Sequence, residues 1–155
     1  TGAINNLEVS WIPSYGSEMR GGTANCTVIL SDERIGSPLV EHPSEIIVMN
    51  RAALSKFEPQ VLSGGTVFVN SSIIPNKISR TDLKAVYVPC DEIAAELGNT
   101  KVANMVMLGA YIAATKSIKV ETIESMIHEM FAGKKAKLIP LNIEALKRGM
   151  TCAKA

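Results

Sequence analysis

Short β-branched runs recur along this chain, and helical stretches separate the later ones. Residues 7–12 (L-E-V-S-W-I), 26–30 (C-T-V-I-L), 45–49 (E-I-I-V-M), 66–69 (T-V-F-V) and 85–88 (A-V-Y-V) each read as a strand. Residues 51–57 read as a short helix, with Pro59 just after it. Asp91 reads as the N-cap of a helix over 92–97 that Gly98 stops. Thr100 is expected to cap a longer helix over 101–115, apolar almost all round, which must sit centrally or against a partner. Over 120–131, Val120, Ile123, Ile127, Met130 and Phe131 make one stripe, and Glu121, Glu124, His128 and Glu129 the other. Asn142 is expected to cap a last short helix over 143–147, with Gly149 beyond it. Short strands separated by helices call for an α/β fold: a mainly parallel sheet with helices on both faces.

In such a sheet ligands gather where the strands end. Three loops qualify: 14–25, Asn50-Arg51, and Asn70-Ser71-Ser72. The first is polar and glycine-rich. Pro13 and Gly16 stop the strand before it, and Gly21-Gly22 frees the backbone for conformations that a Cβ forbids. It carries Glu18 and Arg20, and a guanidinium among exposed backbone N–H groups makes an anion site. The same two residues would serve equally as a turn brace. Asn and Ser at the other two loops suit a ligand with phosphates or amides, and they are also ordinary turn formers.

At 155 residues the chain reads as one domain, able to bury roughly 68–70% of its unfolded surface. Its net charge is +1 with both signs scattered, which argues against a nucleic-acid groove or a polybasic membrane patch. Three widely spaced cysteines, Cys26, Cys90 and Cys152, form no C-x-x-C pair. The chain is therefore not expected to hold an iron–sulfur cluster or zinc by itself, and a reducing cytoplasm suits it. No apolar run reaches membrane-spanning length, and no signal peptide is read at the start.

Catalytic groups are scarce. There is no G-x-S-x-G, G-x-x-x-x-G-K-[ST] or H-E-x-x-H motif. His42 and His128 have no evident nucleophile partner. Cys90 follows a strand and precedes a helix start, a setting that lowers a thiol pKa, although a small packed thiol is the simpler account. Catalytic residues are accordingly expected on another chain.

The block S-Y-G-S-E-M-R-G-G-T-A-N-C over residues 14–26 closely resembles the signature of the gamma subunit of 2-oxoacid:ferredoxin (or flavodoxin) oxidoreductases, most like the 2-oxoglutarate type. Further matches follow in order through Met49-Asn50, Asn70-Ser71-Ser72, Val88-Pro89, Leu108-Gly109-Ala110-Tyr111 and Leu141-Asn142, so the resemblance covers nearly the whole chain. It implies a Rossmann-like three-layer domain over residues 1–155. It also implies an accessory subunit of a complex that decarboxylates a 2-oxoacid and transfers the acyl group to coenzyme A. In that complex thiamine diphosphate, magnesium and iron–sulfur clusters belong to other subunits, and electrons pass to ferredoxin or flavodoxin. Alpha, beta and delta subunits are the implied partners, with a homodimer expected in isolation. Carried onto this sequence, the resemblance puts coenzyme A beside Glu18, Arg20, Gly21, Gly22, Asn25, Asn70 and Ser71. Relatives specific for pyruvate or branched-chain 2-oxoacids, a standalone ligand-binding module, and a homo-oligomeric regulator are the alternatives. Family members usually begin with a strand and a G-x-G-G-Q-G loop. Neither is read here, and a complete first βα unit would need about 30 more residues.

Overall fold

In the computed structural model, which describes residues 2, 6–15 and 24–153, the first two β-branched runs pair with each other. Strands β1 (Glu8–Tyr15) and β2 (Ala24–Ser31) form an antiparallel ribbon with Trp11 opposite Val28 and Pro13 opposite Cys26. The expectation of a mainly parallel arrangement does not extend to this pair. Both strands run longer than the sequence suggests, and the stretch 16–23 left between them is shorter than the dozen or so residues that a parallel crossover needs. The ribbon belongs to the first of two units, Thr1–His42; the second is Pro43–Ala155.

The second unit holds the parallel sheet. Strands β3 (Glu45–Val48), β4 (Thr66–Asn70) and β5 (Lys84–Val88) lie in the order β3-β4-β5, with Thr66 in register with both Glu45 and Lys84. Central β4 has Val67, Phe68, Val69 and Asn70 fully buried, as a strand covered on both faces must. Its alternation divides the core. Val67 and Val69 pack with Val48, Leu54, Val61, Ile74 and Leu83, beneath α1 (Arg51–Phe57) and the chain that follows β4. Phe68 joins Val88 on the other face with residues of α2 (Cys90–Glu96), α3 (Ala103–Thr115) and α5 (Ile139–Cys152). Each fully buried Val, Ile or Phe contributes about 1.5–3 kcal/mol of transfer free energy, so the two-sided burial of β4 anchors the unit.

Helix ends follow side-chain chemistry, not always at the residue that the sequence suggests. Asn50 caps α1, its Oδ1 accepting from the Ala53 N–H at 2.8 Å. Asn99, not Thr100, caps the next segment: its Oδ1 accepts from the Lys101 N–H at 3.0 Å, and one 3-10 turn (Thr100–Val102) precedes α3. The apolar α3 is central, with Val106, Met107, Ala110 and Ile112 buried. Helix α4 (Val120–Met130) buries Ile123 and Ile127, while Met130, at its last turn, stays 71% exposed instead of completing the stripe.

The larger difference is α5, which begins before Asn142 and continues past Gly149. Asn142 caps nothing; its Nδ2 donates to the Leu138 carbonyl at 2.8 Å from inside the helix. Gly149 is a contact residue rather than a stop. A Cβ built there would lie 1.8 Å from the Val106 carbonyl oxygen, and one at Gly109 would lie 2.0 Å from that of Leu146. Two glycines thus let the backbones of α3 and α5 meet. Among the described residues no helix is long and apolar enough to cross a membrane.

Candidate functional site

Because β3, β4 and β5 are parallel, their carboxyl ends share one edge, and the loops at Asn50, Asn70 and Pro89 leave from it. Asn70 ends the central strand and has no exposed surface. Its Nδ2 donates to Asp91 Oδ2 at 2.6 Å, and its Oδ1 accepts from the Ser72 N–H at 3.3 Å. The Ser71 N–H donates to the Val88 carbonyl at 2.9 Å. Ser72 Oγ accepts from the N–H groups of Asp91 and Glu92, at 3.1 and 3.2 Å.

This arrangement corrects the reading of Asp91 as an N-cap. Pro89 precedes α2 and makes no side-chain cap bond, and the Asp91 carboxylate points back to Asn70. The cap of α2 is Ser72, supplied from the loop after β4. Asp91 and Glu92 fill the first turn, where negative charge meets the positive end of the helix dipole. The same two acids would repel a phosphate at this edge.

Cys90 stands at the start of α2 with no exposed surface. Burial, with further contributions from the nearby Asp91 and Cys152 side chains, pushes its thiol up to about 12. It is the packed thiol, not a nucleophile.

The other residues read as ligand contacts are distributed unevenly. Asn70 and Ser71 are adjacent on the carboxyl edge, Ser71 half-buried. Asn25 lies on β2 in the first unit, opposite Ser14 and half-buried. Glu18, Arg20, Gly21 and Gly22 lie outside the described residues.

Sequence reasoning missed two features of the second unit. At the amino edge of the sheet a depression of about 440 Å³ is lined by Ser44, Glu45, Gly65, Thr66, Lys84 and Thr115, among others. Several of its polar groups are already engaged: Tyr111 Oη donates to Glu45 Oε2 at 2.9 Å, and Thr115 Oγ1 donates to the Tyr111 carbonyl at 2.9 Å. Burial first, then the Glu45 carboxylate, raises the Tyr111 phenol above its ordinary value. The second feature is a buried carboxylate, Glu58, 6% exposed. Its Oε1 accepts from the N–H and Oγ of Ser79 at 2.6 and 2.8 Å, and from the Arg80 N–H at 2.8 Å. Burial alone would raise this carboxyl, but those donors and the Arg80 charge bring it below its ordinary value. Arg80 in turn binds both oxygens of Asp82, at 2.9 and 2.5 Å. No local motif marks either cluster, because the links to Glu45 and Glu58 join residues 66 and 21–22 apart in the chain. Among the described residues no group of three or more His, Cys, Asp or Glu could hold a metal ion.

Comparison with known proteins agrees with this architecture. The ketoisovalerate oxidoreductase subunit VorA of Methanothermobacter thermautotrophicus is 37% identical over 94% of this chain, and the chain spans only 30% of VorA's length. The 2-oxoglutarate synthase subunit KorC of Methanocaldococcus jannaschii is 33% identical, over 79% of this chain and 67% of KorC. A solved keto/oxoacid ferredoxin oxidoreductase gamma subunit from Geobacter sulfurreducens PCA shares the fold, with a TM-score of 0.78 at 24% identity. It covers 98% of this chain, which covers 83% of it. Residues 1–152 match the pyruvate ferredoxin/flavodoxin oxidoreductase family, and the chain belongs to it.

Proposed function

We propose that this chain works as the gamma-type component of a 2-oxoacid:ferredoxin oxidoreductase. The observation that carries this reading is the family match over residues 1–152. In this reading the chain frames the reaction and the rest of the complex performs it. Thiamine diphosphate with magnesium, the iron–sulfur clusters and the ferredoxin- or flavodoxin-binding surface belong to alpha, beta and delta partners. This chain helps hold coenzyme A through the loop that carries Glu18, Arg20, Gly21 and Gly22, with Asn25, and through the carboxyl edge at Asn70 and Ser71. The edge suits the amide and hydroxyl groups of that molecule better than its phosphates, because Asp91 and Glu92 stand beside it. Arg20 is then the residue for a phosphate.

Two substrate classes are supported. The E-M-R-G-G-T-A-N-C block favours 2-oxoglutarate. The higher identity of the ketoisovalerate relative, over more of this chain, favours a branched-chain 2-oxoacid. Co-expression with the neighbouring subunits, followed by reduction of a viologen dye with 2-oxoglutarate, 2-oxoisovalerate or pyruvate, tests the reading. Coenzyme A-dependent oxidation of one of the three by the complex, and none by the chain alone, is expected. Turnover by the isolated chain, or failure to co-purify with thiamine- and cluster-bearing subunits, would refute it. Arg20→Ala should raise the KM for coenzyme A in the complex; unchanged affinity and turnover would remove Arg20 from the site.

A further inference from the structure

The turn that leaves the central strand is shaped from within. Asn70 has no exposed surface, so its side chain cannot touch a ligand arriving from solvent. Its carbonyl accepts from the N–H groups of Ile73 and Ile74, at 3.3 and 3.0 Å, and its side chain spans Ser72 and Asp91. Ser72 spends its hydroxyl on the first turn of α2. The turn leaves at the surface Ser71 and Ser72, both half-buried, and Ile73, 52% exposed, and of the two serines Ser71 has the hydroxyl not given to α2. Asp91, 21 residues away in sequence, is the side chain that ties the buried amide to α2. A part-buried, charge-assisted bond at 2.6 Å is both strong and directional.

We infer that Asn70 and Asp91 form a positioning pair. Their side-chain bond fixes the 70–74 turn so that Ser71, and not Asn70, meets coenzyme A. The inference rests on the reading of this edge proposed above. It also reassigns Asn70 from a ligand contact to a group that acts through its neighbour.

The test exchanges the two side chains. In the assembled complex, coenzyme A is varied for wild type, Asn70→Asp, Asp91→Ala and the doubly exchanged Asn70→Asp/Asp91→Asn. Asn70→Asp sets two carboxylates against each other and should raise the KM for coenzyme A about tenfold or more, with kcat at saturation within about twofold. The double exchange restores an amide–carboxylate bond in the reverse sense and should return KM to within about twofold of wild type. A merely structural role would lower the melting temperature without that split between KM and kcat. A double exchange as impaired as Asn70→Asp would show that the amide itself is needed and overturn the inference; an unchanged KM in Asn70→Asp would overturn it too. If Asn70→Asp does not assemble, Asp91→Ala decides in its place: a raised KM with kcat retained supports the pair, and an unchanged KM overturns it. Ser71→Trp separates the two levels. If it raises KM while the pair variants do not, the pair alone fails. If it also leaves KM unchanged, the coenzyme A reading of this edge fails with it.

Discussion

Gly149→Ala should lower the thermal midpoint of the second unit by about 6–10 °C. The added Cβ would lie 1.8 Å from the Val106 carbonyl oxygen and 2.7 Å from its carbon. Backbone cannot rotate aside as a side-chain tip does, so α3 and α5 would have to separate by about 1.5 Å to restore van der Waals contact. Overpacking of this kind costs up to about 3 kcal/mol. Alanine returns about 1 kcal/mol because it is the better helix former. The net loss of about 2 kcal/mol converts at roughly 3–5 °C per kcal/mol for a unit of this size. Gly109→Ala, whose Cβ would lie 2.0 Å from the Leu146 carbonyl oxygen, should behave alike. Gly36→Ala is the control, since a Cβ there meets nothing within 4 Å, and it should stay within about 0.5 kcal/mol of wild type. Circular dichroism at 222 nm during heating, with urea titration alongside, measures all three. A Gly149→Ala midpoint equal to or above wild type would refute the close crossing and with it the account of how the helical layer is held.

Other outcomes follow from the buried polar groups. Glu58→Ala strands two backbone N–H groups and a hydroxyl and should destabilise the unit by about 2 kcal/mol or more in urea unfolding. Hydrogen bonds from Arg80 and Ser63 hold Asp82 down to about 2, against an ordinary 3.8, and Glu58 also lies below its ordinary 4.5. Carboxyls depressed by folding stabilise above their unfolded values and lose that contribution as pH falls. The midpoint should therefore drop as the pH falls from about 4.5 towards 2, and less steeply in Asp82→Asn; equal acid sensitivity in the two proteins would contradict the assignment. Thiol labelling followed by mass spectrometry at pH 8 should modify exposed Cys26 first, half-buried Cys152 more slowly, and buried Cys90 only on unfolding. Tyr111→Phe removes the bond to Glu45 and should cost about 1 kcal/mol, read in the same urea titration.

Most of the parallel unit was legible because buried strands and apolar helix faces write themselves locally. Arg51–Phe57 was readable to the residue, with Asn50 before it and Pro59 after it. Central β4 announced itself through T-V-F-V. Three kinds of feature escaped. The antiparallel ribbon was obscured because both strands reach further toward 16–23 than their β-branched centres do. Helix α5 was cut short because Asn and Gly mean cap and stop on a free helix, and something else where another backbone presses close. The carboxyl edge was found, but the roles within it were not. Whether a polar residue at a strand end faces solvent or braces a turn depends on partners 19 to 21 residues away. For the Arg20 loop, sequence resemblance remains the source of the assignment.

Ser72 makes the start of α2 a property of the whole sheet. A peptide of residues 89–99 lacks the hydroxyl that receives its first amides, and seven helical residues are too few to nucleate alone. Two bonds to Ser72 thus tie the front end of the helix to the chain that leaves β4. Amide protons of Asp91 and Glu92 should therefore exchange with deuterium only through opening of the entire unit, at the same slow rate as those of Val67 and Val69.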